Sequence, residues 1–241
     1  MSEICMQANG LSKAFAGRTV VKELSFSVER GQVFGLLGHN GAGKSTTIDL
    51  LLGMKKADAG TAKILGKDAV KNRKEIFEKV GVQLQASNYQ AVIRVEELCR
   101  ERAALYQNPA DYHALLAQFG LSGMEKNMVM KLSGGERQKL SVVLSLIGNP
   151  EIVFLDELTT GLDVAARREV WRTLKHLKDN GLTIFLTTHY MEEAENLCDH
   201  ILLIKGGQKV AEGSVEEVVK ASPYEKLEEA YLWYMGEEVE L

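Results

Sequence analysis

The sequence predicts an α/β fold: a mostly parallel sheet, with an antiparallel β region ahead of it and a helical region inserted into it. Three observations carry this. The apolar run Val33-Phe34-Gly35-Leu36-Leu37 passes directly into a glycine-rich loop and then a helix-forming segment. The continuous apolar run Ile152-Val153-Phe154-Leu155 reads as a buried parallel strand, and Leu182-Thr183-Ile184-Phe185-Leu186 as a further buried strand. Between residues 86 and 149 apolar residues recur only at helical spacing. The expected organisation is one domain over residues 1–241, with a core from 1–85 and 150–241 and a helical subdomain at 86–149.

Residues 4–10 and 19–30 alternate apolar with polar, most clearly in Leu24-Ser25-Phe26-Ser27-Val28-Glu29, as half-exposed antiparallel strands do. Phe15 lies in the turn between them. It is either a turn or core aromatic, or a platform for a nucleotide base, since a π face holds a purine without hydrogen bonds. The stretch Gly38-His39-Asn40-Gly41-Ala42-Gly43-Lys44-Ser45-Thr46 has the form of a phosphate cradle. Backbone N–H groups must converge on a triphosphate, and Gly38, Gly41 and Gly43 relieve the clashes that so concave a backbone creates. Lys44 can reach the β- and γ-phosphates and Ser45 can offer a hydroxyl to Mg²⁺. The helix begun at Lys44 adds the partial positive charge of its N-terminus. A ligand-free tight turn is the alternative.

Gly53 ends that helix, Asp58-Ala59-Gly60 turns into a short strand at 61–65, and residues 71–78 form a helix with Ile76 and Phe77 inward. The next strand, 80–85, ends on Gln85, which is a plain strand-end amide or one that ligates Mg²⁺ or orients water. In the helical region, Leu132-Ser133-Gly134-Gly135-Glu136-Arg137-Gln138 precedes an apolar helix. Ser133 and Glu136 have capping-box spacing, and the two glycines add bare N–H groups at a helix N-terminus, a second anion site. Asp156-Glu157 ends the strand at 152–155, the place where open α/β sheets bind ligands. Asp156 suits a Mg²⁺ shell and Glu157 a general base for an attacking water. His189, delivered by the strand at 182–186, is either structural or a ligand of the γ-phosphate and water. Residues 201–204 and 208–211 form a hairpin about Gly206-Gly207, and an acidic amphipathic helix follows Pro223.

At 45% hydrophobic content the 241 residues bury a substantial core, and a net charge of -4 argues against a nucleic-acid partner. Three widely spaced cysteines and five scattered histidines offer neither a disulfide framework nor a zinc pattern, which fits a reducing compartment. No segment approaches the roughly 20 apolar residues that span a bilayer, and the N-terminus lacks a leader pattern.

Jointly, these motifs resemble those of the nucleotide-binding subunits of ATP-binding cassette (ABC) transporters, over essentially the whole chain. Gly38 to Ser45 resembles the Walker A loop, Gln85 the Q-loop glutamine, and Ser133 to Gln138 the signature. Asp156-Glu157 resembles the end of Walker B with its glutamate, Gly161-Leu162-Asp163 the D-loop, and His189 the switch histidine. The sequence departs at Leu158 and Leu84, where proline is usual, and at Phe15, where tyrosine is commoner.

The resemblance implies a P-loop NTPase (RecA-like) core and Mg²⁺-dependent ATP hydrolysis with Glu157, His189 and Lys44 as catalytic residues. ATP is then held by Phe15, Gly38, His39, Asn40, Gly41, Ala42, Gly43, Lys44, Ser45, Thr46 and Gln85, with Ser45, Gln85 and Asp156 on the metal. It also implies a head-to-tail ATP sandwich, a homodimer or a pair with another nucleotide-binding subunit. In that pair Ser133, Gly134, Gly135 and Gln138 contact the nucleotide in trans, and Asp163 lies at the dimer D-loop.

Residues 188–195 and 227–232 resemble the drug and antibiotic exporter branch, whose membrane permease is a separate chain. The subunit is then cytoplasmic, peripheral on the inner face of the cell membrane through its permease. The alternative is a soluble cassette ATPase serving DNA, ribosomes or cofactor assembly. A DNA-repair role is opposed by the lack of room for a coiled-coil arm between Lys44 and Asp156, and a translation role by the single cassette. Tyr89-Gln90-Ala91-Val92-Ile93-Arg94, close after Gln85, either presents exposed apolar side chains to the permease, Ile93 among them, or packs within the helical region.

Overall fold

The computed structural model describes residues 3–83 and 92–237. In chain order the elements begin with β1 (Ile4–Phe15), β2 (Arg18–Glu29), β3 (Val33–Leu37), α1 (Lys44–Leu51), β4 (Ala59–Ile64) and β5 (Lys67–Asp68). Then come α2 (Arg73–Phe77), β6 (Val80–Gln83), α3 (Val95–Ala103), α4 (Tyr112–Gln118), a 3-10 turn (Val129–Lys131) and α5 (Gly134–Leu146). After β7 (Ile152–Asp156), α6 (Val164–Asp179) and β8 (Thr183–Thr188), the chain closes with α7 (Met191–Leu197), β9 (His200–Lys205), β10 (Gln208–Gly213), α8 (Val215–Lys220) and α9 (Leu227–Met235). Among the described residues no helix is long and apolar enough to cross a membrane.

The chain divides into two compact units, one of residues 1–76 with 185–241 and the other of 77–184. In the first, an antiparallel sheet runs β2-β1-β4-β5. β1 and β2 are joined by a two-residue loop in which Ala16 and Gly17 both have positive φ, 47° and 80°. That geometry matches strand twist and closes the hairpin at the Phe15–Arg18 pair. The alternation in β2 is realised, with Leu24, Phe26 and Val28 buried and Ser25, Ser27 and Glu29 exposed. The fully buried β3 lies between β9, to which it is parallel, and β8, while β10 pairs antiparallel at the edge. Stacked rings of Phe26, Phe34 and Phe185, with centroids 5.2–6.0 Å apart, fill the core of this unit.

In the second unit β6 and β7 are parallel, with Val80 opposite Ile152 and Gln83 opposite Leu155. Helix α5 buries every residue from Leu140 to Leu146 and packs against both strands. Cys99, on α3, is fully buried, and burial pushes its thiol up to about 12.

Two expectations shift. The strand after Asp58 starts at Ala59, two residues earlier than its turn chemistry suggested, because the Asp58 side chain is used elsewhere: it accepts from Ala14 N–H at 2.8 Å and from Lys13 at 2.7 Å. Ile93 is not exposed. It is 6% accessible and its carbonyl accepts from Val129 N–H at 2.9 Å, whereas its neighbour Val92 is 71% accessible.

Candidate functional site

The cradle grows out of β3. With all five residues of that strand buried, the chain leaves the sheet at Gly38 and re-enters regular structure at α1, capped by Gly43 in a left-handed conformation (φ 108°). A side chain at Gly43 would meet the Val20 carbonyl at 2.6 Å, and one at Gly38 the Ile204 carbonyl at 2.8 Å. Both positions therefore need glycine. The loop is pinned from behind: Gly207 N–H donates to Ala42 O at 3.0 Å, and Lys22 N–H donates to Gly207 O at 2.9 Å. At its mouth His39, Asn40, Gly41 and Ser45 are exposed, with Thr46 half-buried beside them.

Lys44 is only 5% accessible, and its Nζ donates to Gly38 O at 2.8 Å and His39 O at 3.3 Å. The cation is folded onto the loop that would hold its anion. Burying an ammonium against carbonyl dipoles is tolerable, and burying it against phosphate is better, since phosphate adds a full opposite charge to the hydrogen bond. Phe15 stands at the end of β1 with its ring 40% accessible. Lys13 and Lys55 place their ammonium groups 5.5 and 5.3 Å from the ring centroid, each anchored by a carboxylate, Asp58 at 2.7 Å and Asp49 at 2.8 Å. His189, at the carboxyl end of β8, rests its ring 4.1 Å from that of Tyr190, whose N–H donates to Thr188 Oγ1 at 3.0 Å.

The second unit carries the acids. Asp156 ends β7 buried, and its N–H donates to Gln83 Oε1 at 3.1 Å, tying the end of β7 to the end of β6. Glu157 follows half-buried with φ 50°, a left-handed conformation that is costly for a non-glycine residue and clusters at functional positions. Hydroxyl and carboxylate oxygens, the donor types of Ser45 and Asp156, are those Mg²⁺ prefers, and it ordinarily completes its shell with phosphate oxygens and water. Gln85 lies outside the described residues.

Ser133 caps α5 in a full capping box: its Oγ accepts from Glu136 N–H at 3.2 Å, and Glu136 Oε2 accepts from Ser133 N–H at 2.7 Å. That backbone bond holds the Glu136 carboxyl below its usual range. Gly134 is exposed and Gly135 half-buried on the first turn. Gln138 donates one Nε2 N–H to the Leu158 carbonyl of its own chain at 2.7 Å, which leaves the amide a second N–H and its oxygen. Asp163 caps α6, accepting from Ala166 N–H at 2.8 Å.

Sequence reading missed Lys13, Lys55 and Gln83. Lys13 and Gln83 were within reach of it, because strand residues two apart share a face, which puts Lys13 beside Phe15. Lys55 had no such signal.

A family model described as ABC transporter matches residues 21–160, and a shorter AAA-domain model matches residues 129–193. The Nod factor export ATP-binding protein I of Ralstonia nicotianae is 42% identical over 219 residues, covering 89% of this chain and 68% of that protein. Its namesake from Rhizobium johnstonii is 36% identical over 229 residues, covering 91% and 72%. A solved ATP-binding subunit of an ABC transporter superposes with TM-score 0.87 at 25% identity, over 95% of this chain and 99% of that one. A nucleotide-free cassette from an ABC transporter, at 23% identity and TM-score 0.83 over 95% and 99%, shares the fold. The ABC transporter match spans more than half of the chain and the relatives share more than a third of the aligned residues, so the chain belongs to the ABC transporter family, as one of its nucleotide-binding ATPase subunits.

Proposed function

We propose that this subunit binds Mg-ATP at the Gly38–Ser45 cradle and hydrolyses it to power export through a separate membrane permease, which holds it at the inner face of the cell membrane. The observation that carries the reading is the buried Lys44 ammonium, held on carbonyls of an open-mouthed loop at the start of α1. Relatives named for Nod factor export support the direction of transport.

In this reading Lys44 moves from its carbonyl partners to the β- and γ-phosphates, and the N–H groups from His39 to Thr46 surround the phosphate oxygens. Phe15 stacks on the base. Ser45, Asp156 and Gln85 would hold Mg²⁺, which would supply positive charge against the phosphates. Glu157 accepts a proton from the attacking water, and His189 orients that water and the γ-phosphate. Ser133, Gly134 and Gly135 come from a second nucleotide-binding subunit placed head to tail, so association and nucleotide binding are one event. Asp163 then serves the D-loop at that interface.

Glu157→Gln tests the chemistry. The variant is expected to keep Mg-ATP binding while turnover falls by roughly 10²–10⁴, and it traps an ATP-bound dimer. Near-normal hydrolysis would return Glu157 to a structural role.

A further inference from the structure

Gln138 and the loop that carries Glu157 are joined inside one chain. Gln138, on the second turn of α5, donates its Nε2 N–H to the Leu158 carbonyl at 2.7 Å. Gly135, one turn earlier, lies so close to the buried Leu162 that a Cβ there would meet Leu162 Cδ2 at 3.3 Å. Between these contacts residues 157–162 form a tight loop, with Thr160 N–H on Glu157 O at 3.3 Å and Leu162 N–H on Thr159 O at 3.1 Å.

The loop is not relaxed. Glu157 has φ 50°, and the buried Thr159 hydroxyl has no hydrogen-bond partner among the described residues. Such features persist only where surrounding contacts over-determine them. Here those contacts come from the first two turns of a single helix, whose N-terminus is also the signature. A displacement of that N-terminus must either carry the Leu158 carbonyl along or break the Gln138 bond.

We infer that Gln138 is a positioning residue that couples the two ATP sites of the dimer, by tying a subunit's signature turn to the same subunit's Glu157. The inference rests on the head-to-tail reading above. In that arrangement a subunit's signature faces the nucleotide held by its partner, while its own Glu157 acts on the nucleotide it holds itself. Engagement at one composite site then sets the placement of the base at the other, through one helix and one hydrogen bond. Coupling of this kind is reciprocal and appears as cooperativity in ATP concentration. An amide fits the task because it donates to a carbonyl. A glutamate of the same length only accepts, and a methionine fills the space without donating.

The test is steady-state ATP hydrolysis by the full chain against Mg-ATP concentration, for wild type, Gln138→Met and Gln138→Glu, with thermal melting to confirm folding. Wild type is expected to show a Hill coefficient above one. Both variants are expected to keep nucleotide affinity within about twofold, lose roughly tenfold in kcat, and show a Hill coefficient close to one. Using two variants guards against one that does not fold. A non-cooperative wild type, an unchanged kcat in a folded variant, or a kcat loss with wild-type cooperativity each overturns the coupling. Near-normal hydrolysis by Glu157→Gln would instead mark failure of the base assignment on which the coupling rests, a result distinguishable from loss of the Gln138 effect alone.

Discussion

The cap that Ser133 forms and the nucleotide contact proposed for it are separated by one substitution. As the α5 cap it satisfies the Glu136 N–H, and a cap of this type is worth about 1 kcal/mol. In the proposed function it also meets nucleotide, as a signature residue. Ser133→Ala is expected to lower unfolding free energy by about 1 kcal/mol, read by urea titration, while the subunit stays folded and turnover falls by roughly tenfold or more. A drop in stability with unchanged turnover would leave it only a cap. The reciprocal Glu136 bond remains in that variant. Because the folded carboxyl is held below its usual range, its contribution is present above the ordinary glutamate range and fades as pH falls through the lowered value.

At this scale the sequence was informative wherever geometry is local. The glycines flanking Lys44, the Ser133 and Glu136 spacing, and the acids ending β7 all follow from neighbours in the chain. Gln138 did not. Its carbonyl partner is twenty residues away and is set by how α5 packs, which spacing does not encode.

Among the elements, long periodic segments were legible and short ones were not. The hairpin of β1 and β2, the buried runs β3, β7 and β8, and α5 lie where pattern puts them. The two-residue β5 has no pattern to read. α8 did carry a signal, the Ser214 and Glu217 capping box, which forms with Glu217 N–H on Ser214 Oγ at 3.2 Å. The segment after β6 shows the cost of reading exposure from composition. Val92 and Ile93 look alike in sequence, yet Ile93 turns inward and Val92 outward at the start of the α3 region. The permease contact is therefore better tested at Val92. Val92→Asp is expected to abolish export in membranes carrying the permease while the isolated subunit folds and binds ATP normally. Intact transport would remove this position from the interface. Ile93→Asp is expected to lower the melting temperature instead, since it buries an unpaired carboxylate.

For the whole molecule, the boundaries expected at residues 85/86 and 149/150 and the compact units divided at 76/77 and 184/185 describe different things. Composition marks where helical spacing begins and ends, whereas compactness counts β6 and β7 with the helices that pack on them. The proposed head-to-tail pair is a property of two chains, so no single-chain pattern reveals it. What the sequence offers toward it is two candidate anion sites on one polypeptide, at α1 and α5. If one nucleotide needs the cradle of one chain and the signature of another, two defective chains can complement each other. The most direct measurement uses Glu157→Gln chains to suppress turnover, one also carrying Lys44→Ala and the other Gly135→Asp, with dimer mass and bound ATP read after mixing. Each parent alone is expected to stay monomeric in Mg-ATP, and the mixture to form dimers holding one ATP per two chains. Dimers formed by the Gly135→Asp parent alone, or a mixture that stays monomeric with Mg-ATP bound, would contradict the in-trans site.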